Sequence, residues 1–272
     1  MDLQLKGSVA FVTGASKGIG KATAWLLAAE GCQVAINARE EGRLRSVAEE
    51  IASATGAEVL PVPGDMSVTA DVDRCVKATI DHFRQLDIAV PCAGAAPGGL
   101  VETLTDDDWL GALNLKFMGY VRTCRAVLPH MKERGRGSIV MVVGNDGLKP
   151  PYYEIAPGAC NAADINFAAC IAEQYGKYGI RINTVNPGPV DTDRWDWIEK
   201  SLANTKGVSQ NVARQLVNAS VPLGRIATAQ EIANVVAFLA SPLAGFVNGA
   251  HIPVDGAQRK ALMDADLVRL QT

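Results

Sequence analysis

Five side chains able to move a proton or hold a charge lie close together in one stretch of the chain: Asp146, Lys149, Tyr152, Tyr153 and Glu154. A tyrosine hydroxyl beside a lysine or a carboxylate can exchange a proton with a substrate oxygen. The same residues can equally form a polar loop with the tyrosines as a packing lid. Cys92 and Cys160 become nucleophiles only if nearby positive charge lowers their pKa, and neither has a His or Lys beside it in sequence. Asp191, Asp193, Trp195 and Trp197 follow a Pro-Gly turn and suit either a substrate lid or an ordinary helix start with apolar packing.

A second cluster has different chemistry. The run Thr13-Gly14-Ala15-Ser16-Lys17-Gly18-Ile19-Gly20 follows an apolar strand pattern and opens a helical one. Glycines there let the backbone approach a pyrophosphate, which the helix N-terminus stabilises. An acidic residue at the end of the second strand would hold a ribose 2′-OH, as NAD requires. The chain instead reads Asn37-Ala38-Arg39. Lys17 and Arg39 can flank a 2′-phosphate, which favours NADP(H) over NAD(H). They can also be solvated surface cations.

The elements that must position these groups alternate. Strand patterns are expected over 8–13, 33–37, 58–62, 87–91, 138–143, 181–185 and 251–254. Helical patterns are expected over 18–30, 40–54, 71–84, 106–134, 155–178 and 230–240. Ile139-Val140-Met141-Val142-Val143 is apolar at every position, as a parallel strand covered on both faces must be. The expectation is a single-domain α/β fold, a Rossmann-type doubly wound parallel sheet of about seven strands flanked by helices. That domain spans 1–256, with a polar tail over 257–272.

Composition narrows the function classes. With 272 residues, 48% hydrophobic and 20% charged, the chain can bury a full core. A net charge of −3 offers no basic field for nucleic acid. No apolar run approaches the ~18 residues a membrane span needs. The start of the chain shows no export signal, so a cytoplasmic location is expected. None of the six cysteines has CxxC spacing and the three histidines are far apart, so no metal site is expected.

The glycine run matches the TGxxxGxG of the short-chain dehydrogenase/reductase family, and the chain resembles that family's classical type over about residues 5–256. Asp65, followed by Met66, stands where the family's Asp contacts the adenine. Ala93-Gly94 retains half of the NNAG motif, with Pro91 and Cys92 in place of its two Asn. Asn114 stands at the family's structural and proton-relay Asn. The segment from Asn186 to Thr192 matches the one bordering the nicotinamide. Pro222-Leu223-Gly224-Arg225 and Val254-Asp255-Gly256 match the C-terminal signature. The resemblance implies cofactor contacts from Gly14, Ser16, Lys17, Gly18, Ile19, Gly20, Arg39, Asp65, Met66, Ala93, Gly94, Asn161, Pro187, Gly188, Val190 and Thr192.

The departures fall where that family does its chemistry. Its Tyr is the acid–base group, a Lys four residues later lowers the Tyr pKa and holds the nicotinamide ribose, and a Ser thirteen residues earlier fixes the substrate oxygen. Here those positions read Pro157, Asn161 and Gly144. Two flanking segments give the same ungapped register. One is Asn161 to Phe167, read back from Asn186-Pro187-Gly188; the other is Gly137-Ser138-Ile139-Val140. The expected activity is an atypical NAD(P)-binding oxidoreductase acting on a small organic carbonyl or alcohol. Tyr153, Glu154, Asp146 and Asn114 are its candidate catalytic residues, and cofactor binding is weaker than in an ordinary member. The alternatives are a non-redox enzyme on this scaffold (lyase, isomerase, dehalogenase or hydrolase) or a catalytically inactive binding protein. The family further implies a homotetramer or dimer built on 106–134, 155–178 and 251–255.

Overall fold

The computed structural model describes residues 2–258, apart from the side chains at 194, 197, 198, 201, 202, 205 and 206. Strand β1 (Val9–Thr13) leads through the glycine turn into α1 (Gly18–Ala29), β2 (Gln33–Asn37), α2 (Glu41–Thr55) and β3 (Val59–Pro61). Next come α3 (Thr69–Phe83), β4 (Ile88–Val90), α4 (Asp106–Ala112), a π turn over Leu113–Phe117, α5 (Met118–Arg134) and β5 (Gly137–Val142). The remainder is α6 (Ile155–Gly176), β6 (Ile180–Pro187), β7 (Val190–Asp191), α7 (Asp193–Lys206), α8 (Gln210–Ser220), β8 (Ala227–Thr228), α9 (Ala229–Ala240) and β9 (His251–Val254).

Seven strands form one parallel sheet in the order β3-β2-β1-β4-β5-β6-β9, while β7 and β8 pair separately. Every residue of β1 is buried. Its side chains alternate between the two faces. Ala10 and Val12 pack with residues of α1, α2 and α9, such as Leu27, Val47 and Val236. Val9 and Phe11 pack with residues of α3, α5 and α6, such as Val72, Val127 and Ile171. Burying each large aliphatic or aromatic side chain contributes about 1.5–3 kcal/mol, so two apolar layers on one sheet account for the fold. The strand order reverses between β1 and β4. Loops leaving these neighbours diverge, and a crevice opens at the carboxyl ends of the strands.

The structure revises several expected elements. The single helix over 106–134 is interrupted, because the π turn inserts extra backbone between α4 and α5. Helix α3 begins at Thr69 and not at 71. Strand β3 is limited to three residues and so is β4. Residues 193–220, which carried no assignment, form α7 and α8 around a small core of Trp195, Ala203, Ala213, Val217 and Ile226. Gln258, expected in a loose tail, is 1% exposed and hydrogen-bonds within the chain; positions 259–272 of that tail lie outside the described residues. Among the described residues no helix is long and apolar enough to cross a membrane.

Asp87 ties the interior of the sheet to its flank. It accepts a hydrogen bond from the Val9 N–H at 2.9 Å and pairs with Arg134 at 3.2 Å and Arg136 at 3.1 Å. Asp87→Ala strands that N–H and is expected to lower stability by roughly 1–3 kcal/mol. Urea denaturation reads this directly, and an unchanged unfolding midpoint contradicts it.

Candidate active site

The crevice is a cleft of about 480 Å³. At one end, close backbone packing fixes the glycine turn. A Cβ on Gly20 would lie 2.4 Å from the Gly14 carbonyl oxygen, and one on Gly14 would lie 2.9 Å from the Ala93 Cα. The Thr13 Oγ1 accepts hydrogen bonds from the Cys92 and Ala93 N–H groups at 2.9 and 3.0 Å, so this turn and the one after β4 are held as a unit. No side chain caps the N-terminus of α1. Its first N–H groups therefore face the cleft as an anion site. Lys17 and Arg39 line this end, both exposed and without an ion pair among the described residues. The amide of Asn37 donates to the Val62 and Gly64 carbonyls, which pins the end of β2. Asp65 accepts from the Ser67 N–H and hydroxyl at 2.8 and 2.7 Å and also lines the cleft.

The opposite end has its own geometry. Gly144 sits at φ 141°, a conformation that side-chain-bearing residues rarely adopt. The Asn161 amide donates to the Asp146 carboxylate. A Cβ on Gly144 would lie 2.5 Å from that amide nitrogen and 2.6 Å from the carboxylate oxygen. The Asp146–Asn161 pair thus fills the space a side chain at 144 would need. Glu154, at the N-cap of α6, and Pro157, in its first turn, also line the cleft. A proline is tolerated there because its missing N–H would have no helical acceptor.

Lys116 is the residue that sequence reasoning missed. It lies on the π turn, is 8% exposed, and lines the cleft beside Cys92 and Gly94. Ala112, Lys116 and Tyr120 are all buried. Their four-residue spacing is a helical buried stripe with a lysine at its centre, and that pattern was the available signal. Asn114 falls off this stripe. It is exposed, and Arg122 clamps its side-chain oxygen at 2.6 Å and its carbonyl at 2.8 Å.

Asp164, one turn after Asn161, is fully buried, and neither carboxylate oxygen has a hydrogen-bond partner among the described residues. Burial pushes its pKa up to about 8, against the pull of Lys116. Burial also pushes the Cys92 thiol up to about 12 and raises Cys160, with Lys116 opposing in both cases. Neither cysteine has the lowered pKa a nucleophile needs.

The residues expected to contact a cofactor are brought to this one cleft, from Gly14 and Arg39 through Met66 and Ala93 to Pro187, Gly188, Val190 and Thr192. Of the candidate catalytic residues, Asp146 and Glu154 reach it; Tyr153 and Asn114 do not. Tyr153 is 39% exposed and packs against Gly98. Tyr152 is exposed, and Lys149 is tied to Asp255 and the Gln258 carbonyl. Trp195 is buried and lines the cleft, as does Asp193, while Asp191 pairs with Arg214 at 3.2 Å. The Trp197 side chain lies outside the described residues. Among the described residues no group of three or more His, Cys, Asp or Glu could hold a metal ion.

Comparison with known proteins adds relatives to this geometry. The family model described as enoyl-(acyl carrier protein) reductase matches residues 14–257. The 2,3-dihydro-2,3-dihydroxybenzoate dehydrogenase of Bacillus subtilis is 31% identical over 256 residues, covering 93% of this chain and 96% of that protein. Short-chain reductase protein NovJ of Streptomyces niveus is 33% identical over 254 residues, covering 92% of this chain and 94% of its own. The crystal structure of L-sorbose reductase from Gluconobacter frateurii, complexed with NADPH and L-sorbose, has a TM-score of 0.91 at 32% identity and covers 96% of this chain and 100% of that one.

The buried carboxyl makes stability depend on pH. Asp164 holds its proton in the folded chain up to about 8, whereas an unfolded Asp loses it near 4. The folded state therefore binds the extra proton between these values, and stability falls as pH rises through that window. Lys116, Tyr120, Cys124 and Cys160 are the titratable groups around it. Asp164→Asn removes the dependence. Its stability relative to wild type is expected to grow by several kcal/mol from pH 4 to pH 8, measured by urea denaturation at each pH. Parallel profiles for the two proteins contradict the assignment.

Proposed function

The chain belongs to the short-chain dehydrogenase/reductase family of oxidoreductases, and we propose that it interconverts a carbonyl and an alcohol on a small organic molecule with NADP(H), at a site without that family's Ser, Tyr and Lys. One observation carries this reading. A single cleft joins an uncapped helix N-terminus, two cations without an ion pair among the described residues and an acid-free β2 end to a pair of carboxylates. The glycine turn fits a dinucleotide because added Cβ atoms there would collide with backbone. The two cations fit a 2′-phosphate, and L-sorbose reductase, a relative of the same fold, is complexed with NADPH.

NADP(H), when bound, supplies or accepts the hydride. The protein's own groups handle position and protons. The α1 N-terminus and the Gly14–Lys17 backbone hold the pyrophosphate. Lys17 and Arg39 hold the 2′-phosphate. Asp65 would hold the adenine end, and Pro187, Gly188 and Thr192 would hold the nicotinamide end. Asn161 donates its amide to Asp146 and fixes that carboxylate at the cleft wall. Asp146 and Glu154 take or return the proton of the substrate hydroxyl. Trp195 and Pro157 cover the cleft with apolar surface and keep water from the reacting atoms.

Self-association as a homotetramer through α5, α6 and β9 belongs to the same proposal. Phe238, Leu243 and Phe246, on α9 and just after it, are exposed apolar side chains that an assembly would cover, and a monomer by light scattering overturns the tetramer.

Calorimetric titration tests the cofactor assignment. Wild type is expected to bind NADPH more tightly than NADH. Lys17→Ala and Arg39→Ala are each expected to weaken NADPH by about tenfold or more while leaving NADH nearly unchanged. Equal affinity for the two cofactors, or equal losses for both, contradicts the 2′-phosphate site.

A further inference from the structure

Burying an ammonium is costly unless it is paired. Lys116 is 8% exposed, yet among the described residues it forms no ion pair and no hydrogen bond. Asp164 is the nearby acid whose charge it feels, but that carboxyl is not within ion-pairing reach and keeps its proton at neutral pH. The lysine is therefore a cation aimed at a cleft, without a resident counter-charge.

Its route into the cleft is specific. The stem runs along Gly94, where a Cβ would lie 3.1 Å from the Lys116 Cγ and 3.8 Å from its Nζ. Any larger residue at 94 would crowd it. Three cations line the cleft among the described residues: Lys17, Arg39 and Lys116. Lys17 and Arg39 lie at the adenosine end. Lys116 lies in the other half, against Gly94 and within electrostatic reach of Cys160 and Asp164 on α6. Asp146 also lines the cleft, and its charge disfavours an anionic substrate there. An electron-rich but neutral partner fits better.

We infer that Lys116 holds the hydroxyls of the nicotinamide-side ribose of NADP(H), entering from the helix pair α4–α5 and not from α6. The inference rests on the NADP(H) reading above. It assigns a positioning cation to a residue that neither the glycine motif nor the candidate acids include. The cation acts at the half of the cofactor that the 2′-phosphate site never touches. An ammonium is well suited to this task, with three rotatable donors and no acceptor.

The test is calorimetry on the full chain with two probes. NADPH contains the nicotinamide ribose, whereas adenosine 2′,5′-bisphosphate carries the 2′-phosphate and lacks that ribose. Lys116→Met is expected to weaken NADPH about ten- to a hundredfold, the worth of a charged hydrogen bond or two. Its affinity for the bisphosphate is expected to stay at the wild-type value. Lys116→Arg keeps the charge and is expected to recover part of the NADPH affinity.

Three results overturn the inference. In the first, Lys116→Met binds NADPH as wild type does. In the second, it loses both probes equally, which marks a structural role. In the third, Lys116→Arg binds NADPH no better than Lys116→Met. Failure of the wild type itself to bind NADPH is a separate outcome, and it overturns the cofactor reading along with the inference.

Discussion

The cleft depends on one steric constraint, the contact between the turn after β1 and the turn after β4. Gly14 lies against Ala93 and Gly20 against the Gly14 carbonyl, at separations that leave no room for a side chain. Thr13 locks the same contact with two hydrogen bonds to the Cys92 and Ala93 N–H groups. These two strands are neighbours in the sheet, and the strand order reverses between them. Everything at the site follows from that junction: the bare α1 N-terminus, the cations at the β2 end, and the Gly94 backbone along which Lys116 enters.

The other end of the cleft is organised by a different pair. Asn161 and Asp146 occupy the volume that a side chain at 144 would require, and Gly144 accepts a backbone conformation closed to most residues. Any side chain placed at 144 would disturb this pair. The positions 144, 146 and 161 form one packed arrangement. Lys116, between α4 and α5, lines the same cleft and acts electrostatically on the buried Asp164 of α6.

Much of the fold was legible because its signals are local and dense. The 139–142 part of β5 is apolar at every position, and the glycine turn sits between a strand and a helix where its physics is unambiguous. What escaped was geometry set by tertiary packing. The π turn at Leu113–Phe117 shifts which residues face inward. Asn114, chosen by motif position, turned outward, while Lys116, one helical turn from two buried neighbours, turned in. Tyr153 looked like the natural acid by type and spacing, but it packs over Gly98 at the surface. Asp164 gave no signal because a single carboxylate in a helical pattern reads as a solvated face. Helix α7 carries little apolar periodicity and is placed by the small core it shares with α8 and Ile226, whereas the amphipathic pattern of α8 was there to be read.

Transfer of an isotopic label tests the central claim most directly. The protein is incubated with NADPH carrying deuterium at nicotinamide C4 and a panel of small ketones, aldehydes and hydroxyketones, and the products are read by mass spectrometry. An oxidoreductase of this design places deuterium on the carbinol carbon of at least one product. NADPH that binds but never delivers deuterium to any member of the panel contradicts hydride transfer as the work of this cleft.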